Sequence, residues 1–227
     1  MNDPSQAGRE AAGRGCACVV MKFGGTSVED AAAIRRLCQL VERPSPQPRV
    51  VVVSALAKVT DQLMNAGGAA AAGHLDSARE MLQVLRQRHE SVAGALVRED
   101  ERIRLFGDFE YEFGALDNLL RRIASEKTLL PCLQDGLLGA GESLSSKLIH
   151  SALRSSGVNA ALVDARACIV TDAAHPRATP LWEATNPRLP SVVLTLLEAG
   201  TVAVRGHVAG APRAGLPPDL GRGRCRC

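Results

Sequence analysis

The sequence predicts an α/β protein in three αβα layers, with helices covering both faces of a mainly parallel sheet. Three observations lead there. Short apolar runs rich in β-branched residues recur along the chain, at Ala17–Phe23, Val50–Val53, Ala160–Val163 and Thr201–Val204. Continuous apolar runs of this kind belong to strands buried on both faces, as parallel sheets require. Segments of helical period lie between them, and strands alternating with helices form right-handed parallel units.

The elements follow in order. The first strand stops at Gly24-Gly25, a turn signal. Val28, Ile34, Leu37, Leu40 and Val41 then recur at helical spacing. Ser27 is the expected N-cap, with Glu29 and Asp30 in the first turn, where acids meet the helix dipole favourably. Pro44, Pro46 and Pro48 end this helix before the second strand. From about 60 to 125 the pattern is almost wholly helical. Met81, Leu82, Leu85 and His89 share one face, and Leu116, Leu119, Leu120 and Ile123 share another. Leu129–Leu138 reads as a short strand or turn. Glu142–Ser156 reads as a helix stopped by Gly157. A third strand, a helix over Leu189–Glu198 and a fourth strand complete the unit.

The expected organisation is therefore a disordered lead-in over 1–16, one domain over 17–205, and an irregular Gly/Pro/Arg-rich tail over 206–227. The chain has 227 residues, of which 46% are apolar and only 3% aromatic, so its core must rest on Ala, Val, Leu and Ile. A net charge of +3, with no basic stripe interleaved with aromatics, argues against nucleic acid. No apolar run is long enough to span a bilayer, and the first fifteen residues carry no signal-peptide h-region. A cytoplasmic location is expected. Of the seven cysteines, Cys16/Cys18 and Cys225/Cys227 form two Cys-x-Cys pairs, and Cys38, Cys132 and Cys168 lie singly in apolar surroundings. Structural zinc ligands more often come as Cys-x2-4-Cys, so the cysteines read as reduced thiols and no metal ligand is assigned.

The chemistry concentrates at Lys22-Phe23-Gly24-Gly25-Thr26-Ser27, a strand end just before a helix. Ligands of parallel sheets bind at the carboxyl ends of strands. Adjacent glycines let backbone N–H groups approach a phosphate, and a lysine neutralises a transferring phosphoryl group. The Walker pattern is absent. Taken alone, Lys-x-Gly-Gly is equally well explained as a structural turn beside a surface lysine.

The longer string VMKFGGTSVED (Val20–Asp30) resembles the N-terminal signature of aspartate kinases, within the wider amino acid kinase family. Three further segments match in order: Val51-Val52-Val53-Ser54-Ala55 with Thr60, Gly139-Ala140-Gly141-Glu142-Ser143-Leu144-Ser145-Ser146, and Asp164-Ala165-Arg166 with Thr171-Asp172. The similarity runs from about Cys18 to Gly200. It implies the N-terminal part of an amino acid kinase domain with a helical excursion. It also implies a reaction, transfer of the ATP γ-phosphoryl group to the side-chain carboxylate of L-aspartate. The product, 4-phospho-L-aspartate, feeds lysine, threonine and methionine synthesis. ATP and bridging Mg2+ are the implied cofactors.

The resemblance assigns Lys22 as catalytic, and Lys22, Phe23, Gly24 and Gly25 as phosphate-binding. Ser54, Thr60, Glu142 and Arg222 become the aspartate contacts. Glu142 meets the substrate ammonium, and Arg222 grips its α-carboxylate. By themselves these are a strand-end serine, a helix-cap threonine, a first-turn acid and one arginine of a tail.

The pattern breaks after Arg205. Where the family carries Thr-Thr-Leu-Gly-Arg-Gly-Gly-Ser-Asp, the chain reads Pro218-Asp219-Leu220-Gly221-Arg222-Gly223-Arg224-Cys225-Arg226, with a cation at the position of the catalytically important acid. The break has the character of a shifted reading frame. The family holds the adenosine of ATP mainly with residues of its C-terminal half. Two alternatives follow: a catalytically inactive fragment or partner-binding remnant, joining a homo-oligomer or a complementary kinase fragment through an exposed sheet edge, and a kinase of another small acid.

Overall fold

The computed structural model describes residues 18–164, 168–172, 179–198 and 202–206. The expected lead-in lies outside these residues, as does the tail beyond Gly206.

The elements are β1 (Val19–Phe23), a 3-10 turn (Gly25–Val28), α1 (Ala31–Glu42), β2 (Arg49–Val53), α2 (Val59–Ala71), α3 (Leu75–Leu96), α4 (Glu99–Glu126), α5 (Pro131–Ser155), β3 (Ala160–Leu162), α6 (Trp182–Thr185), α7 (Arg188–Glu198) and β4 (Val202–Gly206). All three strand pairings are parallel, in the order β1-β2-β4-β3. The helical excursion is three helices, α2 to α4.

The sheet separates two hydrophobic clusters. On one face Val51, Val53 and Val204, with Met21 and Phe23, pack into the large core made by α1 to α5. On the other, Val50 and Cys18 join a small cluster around Val163, Cys168 and Leu197 of α7. Alternate residues of one strand thus serve opposite layers, as the period-2 geometry of a strand demands. The three-layer expectation holds.

Three local readings need correction. Ser27 does not cap α1. It falls in the 3-10 turn, and Asp30 is the N-cap, its Oδ1 accepting from the Ala33 N–H at 2.7 Å. Leu129–Leu138 is neither strand nor turn, because α5 starts at Pro131 and runs unbroken to Ser155. Proline suits a first helical position, where its missing N–H costs nothing. Leu133, Leu137, Gly141, Leu144 and Leu148 then form the buried stripe. Met81 is not a core residue; it is exposed, whereas Leu82, Leu85 and His89 on the same helix are buried.

The expected stop at Gly157 is present. Its φ of +94° suits glycine, and the Val158 N–H returns to the Leu153 carbonyl at 3.0 Å.

Candidate functional site

β1 and β2 are adjacent and parallel, with Phe23 opposite Val53. Their carboxyl ends therefore release the two chemistry-bearing segments side by side. The Ser54 N–H continues the ladder to the Phe23 carbonyl at 3.1 Å. Gly25 then lies against the following loop, where a Cβ would sit 3.3 Å from the Ala55 carbonyl oxygen and 3.6 Å from the Ala57 Cα. Gly25 is thus explained by close approach of backbone to backbone. Gly24 is different. Its φ of −79° is ordinary, and a Cβ there would meet nothing within 4 Å. Among the described residues no contact calls for glycine at this position, and Lys22, two residues before it, is exposed.

The loop after β2 buries Ala55 and Leu56 and enters α2 through Lys58. Lys58 has φ 67° and ψ −3°, a left-handed conformation that non-glycine residues seldom adopt. Thr60 is exposed in the first turn of α2. It is not the helix cap, because Lys58 holds that position.

Glu142 arrives on α5. It lies well inside that helix, so the dipole of a first turn does not account for it. Its neighbour Gly141 abuts the loop: a Cβ would come within 3.2 Å of Leu63 Cδ1, 3.3 Å of Val59 Cγ1 and 3.4 Å of Ala55 Cβ. One turn further, the buried Ser145 hydroxyl donates to the Ser54 carbonyl at 2.6 Å. Glu142 is half-buried between these two contacts.

The structure therefore brings Lys22, Phe23, Gly24, Gly25, Ser54, Thr60 and the α5 turn of Glu142 to one end of the sheet. Arg222 lies outside the described residues. Two shallow grooves, one between α1, α3 and α5 and one between α3 and α4, share no residue with this constellation. Among the described residues no group of three or more His, Cys, Asp or Glu is placed to hold a metal ion.

Two residues escaped the sequence reading. Ser145 was part of a matched segment but had no role. Arg88 on α3 donates to the carbonyls of Ala57 and Glu29 at 2.7 and 2.9 Å. Its partners are 31 and 59 positions away, a separation that no local pattern signals.

Known proteins resemble this chain in sequence and fold. A family model described as the amino acid kinase family matches residues 17–224. The aspartokinase of Chlamydia muridarum is 31% identical over 90% of this chain and 42% of its own length. The chloroplastic bifunctional aspartokinase/homoserine dehydrogenase of Daucus carota is 27% identical over 92% of this chain and 22% of its own. Among solved structures, E. coli aspartokinase III in complex with aspartate and ADP aligns with a TM-score of 0.73 and 28% identity, covering 84% of this chain and 40% of that one. The chain thus spans less than half the length of these relatives.

Proposed function

The chain belongs to the amino acid kinase family, and from that premise we propose that it carries the acceptor and phosphate side of an aspartate kinase site. The reaction is transfer of the ATP γ-phosphoryl group to the side-chain carboxylate of L-aspartate, giving 4-phospho-L-aspartate for lysine, threonine and methionine biosynthesis. The observation that carries this reading is the meeting of the Gly24-Gly25 turn, the Ser54–Thr60 loop and the Glu142 turn of α5 at the carboxyl ends of β1 and β2.

A carboxylate is already a nucleophile at neutral pH, so the site needs no strong base. Its work is to bring two anions together and neutralise them. Lys22 supplies a mobile positive charge, and the open backbone at Gly24 and Gly25 admits phosphate oxygens. The Ser54 and Thr60 hydroxyls orient aspartate, and Glu142 pairs with its ammonium group. Arg222 is proposed to hold the α-carboxylate through its guanidinium fork. Nucleotide use is supported by the ADP complex of E. coli aspartokinase III. Magnesium would supply further neutralisation on the phosphates. The described cysteines Cys18, Cys38, Cys132 and Cys168 are not joined in disulfides, which suits a reducing cytoplasm. No helix among the described residues is long and apolar enough to cross a membrane.

A coupled ATP assay with L-aspartate as acceptor tests the reading. Aspartate-dependent ADP release that Lys22→Ala abolishes supports it. Release driven better by glutamate, acetylglutamate or a nucleoside monophosphate would transfer the reading to another acceptor. A folded chain that binds neither ATP nor aspartate would favour the alternative of a partner-binding remnant, for which a homo-oligomer or a complementary kinase fragment is the expected companion.

A further inference from the structure

The turn after β1 and the loop after β2 come from separate parts of the chain, and their spacing decides how far apart two bound anions sit. One side chain touches both. Arg88 Nη1 donates to the Ala57 carbonyl at 2.7 Å, and Nη2 donates to the Glu29 carbonyl at 2.9 Å. Glu29 closes the 3-10 turn that begins at Gly25. Ala57 immediately precedes the left-handed Lys58.

We propose that Arg88 is a positioning residue, a clamp on α3 whose guanidinium fork fixes the phosphate turn relative to the acceptor loop. Its part in turnover rests on the kinase reading above, but the clamp itself does not.

Three physical points support it. The planar fork presents donors at a fixed separation, so one side chain can hold two carbonyls in one geometry. Arg88 is half-buried on a long, well-packed helix, which makes it a rigid anchor for two irregular segments. The third point concerns Lys58. A left-handed non-glycine residue persists only where its surroundings over-determine it. The peptide unit is rigid, so holding the Ala57 carbonyl also fixes the direction of the Lys58 N–H and the entry into α2. Gly25 completes the arrangement from the other side, since its missing Cβ lets the turn approach the Ala55 carbonyl.

Amide hydrogen exchange on the full chain tests the clamp, comparing wild type with Arg88→Met, which keeps the aliphatic stem but removes every donor. Exchange in Gly24–Asp30 and Ser54–Thr60 is expected to accelerate about tenfold or more, the scale of losing a charge-assisted hydrogen bond. The interiors of α4 and α5 should keep their rates. Arg88→Lys should restore part of the protection. In a Lys58→Gly background, Arg88→Met should cost less in Ser54–Thr60 and the same in Gly24–Asp30.

Wild-type rates in both segments of Arg88→Met would overturn the clamp. If that variant lacks a cooperative melt, Arg88→Lys decides: unchanged rates in both segments overturn the clamp, and faster exchange in either supports it. In the coupled assay, Arg88→Met should raise the KM values for ATP and aspartate together. A fall in kcat with both KM values unchanged would overturn the positioning role. A wild-type chain that transfers no phosphoryl group would count against the kinase reading alone, because the exchange rates still decide the clamp.

Discussion

Lys22 and His89 show how one residue's surroundings settle its task. Lys22 is exposed at a strand end, two residues before a glycine that no contact among the described residues requires. Removing such a charge from a phosphoryl-transfer site typically costs about 10²–10³-fold in rate. Lys22→Ala should show that loss in the coupled assay, with stability unchanged within about 0.5 kcal/mol by urea denaturation. His89 has the opposite character. It is fully buried, its Nδ1 bonded to the Leu85 carbonyl at 2.8 Å and its Nε2 without a hydrogen-bond partner among the described residues. Phe109 and Phe113 meet its ring edge-on. Burial, reinforced by the nearby Arg88 charge, pushes its pKa down from 6.5 to about 4. As pH falls, the unfolded chain therefore takes up the proton first. The stabilisation is complete above pH 6.5 and is lost between 6.5 and about 4, up to roughly 3 kcal/mol. Chemical denaturation at pH 7, 5.5 and 4.5 should show this decline, and His89→Leu should flatten that share of it.

At the scale of elements, α5 organises the site because glycines let it come close to its neighbours. Gly141 faces Leu63, Val59 and Ala55, so Gly141→Val should overpack this crossing and cost about 1–3 kcal/mol by urea denaturation. Gly94 in α3 has nothing among the described residues within 4 Å of its Cβ position. Gly94→Ala should instead stabilise by up to about 1 kcal/mol through helix propensity. The same glycines explain what the sequence concealed. The strands were legible because each is a continuous apolar run, and α2 to α4 were legible from their long amphipathic period. The start of α5 was not, since Gly136, Gly139 and Gly141 imitate a loop, whereas packing against Leu119 and against Leu63, Val59 and Ala55 favours glycine at 136 and 141. The cap of α1 was misplaced by a few residues because Ser27, Glu29 and Asp30 are all plausible there, and the 3-10 turn decides among them. The positions from Lys22 to Glu142 came from the resemblance. Arg88 was invisible because its partners are joined only by the fold.

For the whole molecule, the sheet separates a large core from a small one. The main cluster takes in five helices, whereas Val163, Cys168 and Leu197 form the buried centre of the second. Leu144 is fully buried in the first. Leu144→Ala should cost about 2–5 kcal/mol, the range for a core leucine. Leu197→Ala should cost less, and amides of β3 and α7 should exchange faster than those of α4 and α5, since among the described residues few apolar contacts hold the smaller layer. Equal protection in the two layers would show that they open as one unit.

The strand order also imposes a schedule on synthesis. β4 lies between β2 and β3, so the inner edge of β2 finds its partner only when residues 202–206 arrive. At ~5–20 residues per second, the roughly 150 intervening residues take about 8–30 s to translate. Neighbouring helices α2 to α5 meet through contacts much closer in sequence and can assemble on the ribosome during that interval. From the completion of β2 until residue 202, the nascent chain thus keeps one strand edge open to pairing with other nascent chains while its helices form and pack. Loss of material to aggregation should therefore depend on translation speed through α3–α5, and slower codons there should lower the soluble yield.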